Sequence, residues 1–216
     1  MLRSVLESAL DGAKVTRIVE LGAGDGGVML WLARRLAKRW PRVEVVMVDR
    51  HDIVSLQTHE EFSALGWCLR IAEVDVFEWL AAPGEPIDAI VCNLFLHHFT
   101  NDRIPGLLEA AASRTGVFAA TEPRRARVPR AFSQLAGCIG CNRVTRHDIV
   151  VSVEAGFAAR ELSALWPAGA AWDLEERAAG LFTHVFLAKR RASGARTPTN
   201  AAHDFPHLDG NPGHGR

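Results

Sequence analysis

Short apolar runs alternate with amphipathic stretches along most of the chain. Residues 15–21 form a strand-like run that leads into a cluster of glycines. Residues 28–40 follow with helical spacing: Val28, Leu32, Leu36 and Trp40 share one face, while Arg34, Arg35, Lys38 and Arg39 lie largely on the other. Pro41 is placed to end that helix. Residues 43–48 make a second apolar run, closed by Asp49. The pattern recurs at 69–74, closed by Asp75, at 87–92, closed by Asn93, and at 116–121, closed by Glu122 and Pro123. Helical stretches fall between these runs, one of them over 103–113. Runs rich in Val and Ile and separated by helices predict an α/β protein with a doubly wound parallel sheet covered on both faces.

The last two runs break the pattern. Residues 172–177 and 181–189 are joined only by Ala178-Ala179-Gly180, too short a link for a crossover. An antiparallel hairpin should therefore close a mostly parallel, seven-stranded sheet. Beyond it Pro198, Pro206 and Pro212 are mixed with Gly, Asn, Thr and His. This predicts one domain over 1–190 and a disordered polar tail over 191–216. His203, His207 and His214 belong to that tail and read as solvated side chains rather than metal ligands.

Composition narrows the function classes. A formal net charge of +0 disfavours a bulk-basic nucleic-acid binder, so no nucleic-acid partner is expected. No run reaches membrane-spanning length and no early segment has a signal-peptide core, so a cytoplasmic location is the default expectation. Cys68 and Cys92 fall in strand-like runs and read as small buried hydrophobes. Cys138 and Cys141 form a Cys-x-x-Cys pair with His147 nearby but no evident fourth ligand. They read as reduced thiols, and no metal is expected. Tyr is absent, which removes one common general base.

The glycine cluster is Glu20-Leu21-Gly22-Ala23-Gly24-Asp25-Gly26, at a strand-to-helix junction. Glycines there let the backbone approach a ligand closely, and the helix start offers free N–H groups. Gly22, Gly24 and Gly27 also satisfy the G-x-G-x-x-G spacing of dinucleotide enzymes. Glu20 decides between ligands. A carboxylate close to a pyrophosphate is unfavourable, whereas close to a cationic amino group it is favourable.

At these residues the chain resembles the class I S-adenosylmethionine-dependent methyltransferases, which are Rossmann-like. Glu20, Gly22, Gly24 and Gly26 match the family's first motif. The resemblance implies that S-adenosylmethionine is the cofactor, bound by Glu20, Gly22, Ala23, Gly24, Asp25 and Gly26. It implies a ribose contact for Asp49, with the role of the following Arg50 open, and an adenine contact for Asp75 and Val76. Residues 88–99, DAIVCNLFLHHF, are similar to the fourth-strand motif of the ubiquinone-type methyltransferases and bring in Asn93. The likeness covers about residues 15–190. Each polar residue also has a plainer use: Asp49 and Asp75 as helix caps, Asn93 as a turn residue.

Candidates on the acceptor side follow the fourth and fifth strands, at the edge where open α/β sheets bind ligands. His97 and His98 adjoin there, and His97 is the preferred general base, with loop packing the alternative. His147, followed by Asp148, is the second candidate base. Arg124, Arg125, Arg127 and Arg130 form either an anion-recognition patch or a solvated helix start. The apolar stretch around Phe132 and Leu135 favours an aromatic or lipid-like acceptor. Residues 137–157 are similar to methyltransferases associated with bacterial type III polyketide synthases.

The expected reaction is methyl transfer to a hydroxyl, less readily to a carbon, of a small aromatic or polyketide-like molecule. The acceptor and the oligomeric state stay open. Two rivals also stay open: a nicotinamide-dependent oxidoreductase, against which Glu20 counts, and a non-catalytic cofactor-binding partner protein.

Overall fold

In the computed structural model, residues 1–125, 156–167 and 171–191 are described. The chain opens with helix α1 (Leu2–Ala9) and then alternates: β1 (Arg17–Leu21), α2 (Gly27–Leu36), β2 (Glu44–Asp49), α3 (Leu56–Ala64), β3 (Cys68–Glu73), α4 (Val76–Ala81) and β4 (Ala89–Asn93). A short 3₁₀ turn (Leu96–His98), α5 (Ile104–Arg114) and β5 (Val117–Pro123) follow. The described part then resumes with α6 (Glu161–Leu165), β6 (Trp172–Ala179) and β7 (Thr183–Arg190).

The strands form one seven-stranded sheet in the order β3-β2-β1-β4-β5-β7-β6. β1 to β5 are parallel neighbours, and β7 runs antiparallel between β5 and β6. The expected α/β architecture with its closing hairpin is thus the observed one. Strand order reverses between β1 and β4, which opens a crevice above their carboxyl ends.

Alternation along each strand feeds two apolar layers. Ile18, Val45, Met47, Val91, Ala119 and Val185 face α1, α2 and α3. Val19, Leu21, Val48, Ile90, Phe118 and Phe186 face α4, α5 and α6. Both faces are covered, so the central strands read as unbroken apolar runs.

Several boundaries differ from the sequence expectation for physical reasons. Helix α1 was not anticipated, although Leu2, Val5, Leu6 and Ala9 have helical spacing and are buried. Helix α2 stops at Leu36 rather than Trp40. Trp40 is nevertheless buried, and its carbonyl accepts the indole N–H of Trp67 at 2.7 Å, which favours a turn over another helical step. The hairpin turn lies at residues 180–182 because Gly180 takes φ +75°. Leu181 and Phe182 are left exposed in that turn. Cys68 is exposed, not buried, because β3 is an edge strand with a partly covered face; Cys92, in central β4, is buried as expected.

Register between β1 and β4 is fixed from below by Asp88. One of its carboxylate oxygens accepts the Thr16 N–H at 2.6 Å, the Arg17 N–H at 2.9 Å and the Thr16 hydroxyl at 3.1 Å. Replacing Asp88 with Ala leaves two strand-end N–H groups without this acceptor. Urea denaturation of Asp88→Ala should show a loss of roughly 1–3 kcal/mol; an unchanged midpoint would mean that water replaces the carboxylate at no cost.

Candidate active site

The glycine loop hangs over the carboxyl ends of β1 and β2. The Gly22 N–H donates to the Val48 carbonyl at 2.8 Å, so the loop continues the β1–β2 ladder by one residue. Gly22, Gly24 and Gly26 all take positive φ, at +69°, +54° and +75°. At Gly22 there is a further demand: a Cβ there would fall inside the ring of Phe95. Asp25 caps the helix start locally, accepting the Gly27 N–H at 2.9 Å. Ala23 is half-buried between Gly22 and Gly24.

Asp49 ends β2 and turns back under the loop. One carboxylate oxygen accepts the Gly24 N–H at 3.0 Å, and the other accepts the His51 N–H at 3.2 Å. Arg50 beside it is exposed. At the end of β3, Asp75 caps α4 by accepting the Phe77 N–H at 2.9 Å, which is the plainer use foreseen for it. Val76 is buried in the layer below. Asn93 ends β4, and its side-chain carbonyl accepts the Thr121 hydroxyl at 2.7 Å.

Glu20 is the anomaly among these acids. It is 2% exposed, and its Oε2 is buried without a hydrogen-bond partner among the described residues. Burial raises its carboxyl from the ordinary 4.5 to about 8, helped by the nearby charges of Asp25 and Asp49. A buried acid with an oxygen unpartnered among the described residues is a group that a cationic or hydrogen-bond-donating ligand could satisfy.

Glu122, at the end of β5, is the functional candidate that the sequence did not single out as a site residue. Its Oε1 accepts the N–H groups of Phe95 and Leu96 at 3.0 and 2.8 Å. Its Oε2 meets Nδ1 of His97 at 2.8 Å and the His97 N–H at 3.4 Å. The two side chains are 8% and 0% exposed. The neighbouring His98 imidazole stacks on that of His97 at 4.2 Å. It is held below the ordinary histidine range by desolvation and by His97. Burial, with the charges of Glu122 and Glu20, pushes the Cys92 thiol well up, so it stays neutral.

A cavity of about 520 Å³ opens beside the loop. Met1, Leu2, Val28, Trp31 and Leu94 supply its apolar walls. Asn93, Thr121 and Thr183 supply its polar points, and Gly27 completes the lining. His97 is not among its walls.

Arg124 and Arg125 both have partners within the fold. The Arg124 guanidinium reaches the Gly180 carbonyl at 3.4 Å, and Arg125 pairs with Glu161 at 2.9 Å. His147, Asp148, Arg127, Arg130, Cys138, Cys141, Phe132, Leu135 and the residues after 191 lie outside the described residues. Among the described residues no group of three or more His, Cys, Asp or Glu could hold a metal ion. No helix among them is long and apolar enough to cross a membrane.

Glu20 makes stability pH-dependent in a direction opposite to that of a salt-bridged acid. Its pKa is raised in the folded state, so its contribution is complete below about 4.5 and is lost as pH rises to about 8. Ligand-free protein should therefore become less stable across that window. Glu20→Gln should flatten the slope and be the more stable form near pH 8, by an amount on the order of several kcal/mol. Parallel melting curves of the two proteins at all pH values would refute this.

Residues 18–115 match the model of a methyltransferase domain. No curated protein sequence matches the chain. Several solved structures share its fold. The plantazolicin methyltransferase BamL, solved with S-adenosylhomocysteine (SAH), superposes with a TM-score of 0.61 at 10% identity, covering 88% of this chain and 83% of BamL. The magnesium protoporphyrin IX methyltransferase of Synechocystis PCC 6803, solved with bound SAM, gives 0.52 at 14% identity, covering 88% and 78%. WbdD gives 0.53 at 18% identity, covering 87% of this chain. The chain spans 38% of WbdD and 56% of a similar O-methyltransferase family protein from Burkholderia thailandensis. Residues 18–115 are thus similar to a methyltransferase domain, and the seven-stranded sheet extends beyond them.

Proposed function

We propose that the chain transfers a methyl group from S-adenosylmethionine to a hydroxyl of a small aromatic or polyketide-like acceptor. The observation that carries this is the buried carboxyl of Glu20, with an oxygen unpartnered among the described residues, directly before a glycine loop. The α-ammonium of a methionine moiety supplies the missing cation, whereas a pyrophosphate there would be repelled. Gly22, Ala23, Gly24, Asp25 and Gly26 let the ligand lie against the backbone. Asp49 faces the ribose hydroxyls and Asp75 with Val76 the adenine, while Asn93 flanks the reacting end.

The bound donor supplies an electrophilic methyl on a sulfonium sulfur that leaves as a neutral thioether. The chain aligns the acceptor, excludes water and takes the proton. His97 is the base. Glu122 receives its Nδ1–H, which leaves Nε2 as the proton acceptor. The acceptor O–H bond breaks toward Nε2 as the oxygen forms its bond to carbon. Glu122 positions and does not touch substrate. His147 is the second candidate for this role.

Two measurements test the reading. Calorimetry with S-adenosylhomocysteine should show binding to the wild type, weakened roughly ten- to a hundredfold in Asp49→Ala with the melting temperature little changed. Unaltered affinity would remove Asp49 from the cofactor site.

The second concerns Glu122→Gln. The glutamine oxygen can still accept from Phe95 and Leu96, but its amide donates to His97 Nδ1 and forces the proton onto Nε2. The rate at neutral pH should fall about 10²- to 10⁴-fold, as in His97→Ala, with S-adenosylhomocysteine affinity retained. Both losses should shrink at high pH, where a phenolic acceptor ionises unaided. A uniform loss across the pH range would make the pair structural only.

A further inference from the structure

The amino end of the sheet, opposite the glycine loop, carries a second cavity of about 260 Å³. The segment joining α4 to β4, the start of β1 and the end of α5 bound it. We infer that this cavity binds a phosphate group, free or carried on a small molecule, through Arg17, Arg70 and Arg114. The inference does not depend on methyl transfer being the reaction.

Charge comes first. Among the described residues, three guanidiniums and one carboxylate, that of Glu85, line the cavity. Glu44 draws two of the cations together. Arg17 donates through Nε to one of its oxygens at 2.7 Å, and Arg70 donates through Nη1 to the other at 3.1 Å. Arg17 also pairs with Glu85. Donors remain after these contacts. Nη1 of Arg17, with Nε and Nη2 of Arg70, has no hydrogen-bond partner among the described residues. Asp88, at the same end of the sheet, is engaged with the Thr16 and Arg17 N–H groups and does not line the cavity. Guanidinium forks match the spacing of phosphate oxygens.

Arg114 supplies a fixed point. Its Nη1 donates to the Leu80 and Ala82 carbonyls at 3.1 and 2.7 Å, which caps the end of α4. The guanidinium also lies 5.0 Å from the centre of the Trp79 ring. Its Nη2 rests against Gly84, where a Cβ would collide with it. These partners are neutral, and no carboxylate meets Arg114 among the described residues. Capping α4 occupies Nη1 and leaves Nε and Nη2 as donors. A cation already held in place loses little freedom when an anion arrives. Trp79 and Pro83 add an apolar flank for an organic substituent.

Glu85 gives the site a signed test. Its side chain is 68% exposed, and it shares Arg17 with Glu44. An incoming phosphate competes with it for that guanidinium and is repelled by its charge.

The experiment is a calorimetric titration of the full chain with inorganic phosphate and with phenyl phosphate, at an ionic strength held constant with sodium chloride. One anion per chain should bind saturably, with Kd of about 1 mM or tighter. Both results of the comparison support the site: equal affinities show that the phosphate alone is read, and tighter phenyl phosphate shows that a carrier rests on Trp79 and Pro83. Arg70→Met and Arg114→Met should each weaken binding about tenfold or more. The Arg70 side chain is 64% exposed and bonds only Glu44 among the described residues, so its replacement leaves the fold intact. Glu85→Gln should tighten binding about two- to fivefold. Excess S-adenosylhomocysteine should leave phosphate affinity unchanged. No saturable binding, affinity indifferent to Arg70→Met, affinity not raised by Glu85→Gln, or displacement by S-adenosylhomocysteine, which would place the anion at the glycine loop, would each overturn the assignment.

Discussion

The carboxyl edge of the sheet is organised around a steric fact at Gly22. The ring of Phe95 lies where any side chain at that position would sit. That contact ties two segments far apart in sequence, the glycine loop after β1 and the turn after β4. Phe95 is in turn held through its N–H by Glu122, the same carboxylate that grips the His97 imidazole. A sterically required glycine, an aromatic ring, a buried carboxylate and a histidine thus form one continuous arrangement. A shift of the loop would be felt at the imidazole through atoms in contact rather than through a field. Phe95 continues outward as well, edge-on to Phe99 at 5.0 Å, which meets Phe77 at 5.6 Å. The aromatic row joins the start of α4 to the same turn.

Two buried glutamates illustrate how one residue type serves opposite ends. Glu122 accepts N–H groups from three successive residues and a histidine, so its charge is met within the fold. Glu20, two strands away, has an oxygen with no such company, and its carboxyl is raised to about 8. The first has its oxygens met within the fold, and the second has one oxygen unpartnered among the described residues. Alternation along the strands places them on different faces: Thr121 looks toward the apolar cavity, and Glu122 next to it looks toward the α4–α5 layer. The cavity and the His97–Glu122 pair therefore flank the β4–β5 edge from opposite sides.

Much of this was legible in the sequence where the signal is local. The strand ends at Asp49 and Asn93, the positive-φ glycines and the short hairpin link each follow from neighbouring residues, and the structure puts them at one edge. The misreadings are cases where position in the sheet decides. Cys68 and Cys92 occupy similar apolar runs, but only the sheet order tells an edge strand from a central one. The helix over residues 28–40 stops early because a tryptophan from a later segment reaches the Trp40 carbonyl. The Glu122–His97 contact spans β4 and β5, and no local pattern announces it. A faint signal existed, since a carboxylate closing an apolar strand must find a partner. The spacing does not say which one.

The place of β7 has a consequence for how the chain can mature. It is the last of the described strands in sequence but lies inside the sheet, with β5 on one side and β6 on the other. During synthesis the edge of β5 thus stays bare until Arg190 has been made. β6, translated earlier, has no ladder to join before then. A ribosome-bound intermediate would carry a five-stranded parallel sheet with an open, apolar flank, the kind of surface that invites pairing with another chain. Vectorial synthesis can assemble the glycine loop and its surroundings early, yet the β5 edge gains its neighbouring strand only once β7 has been made.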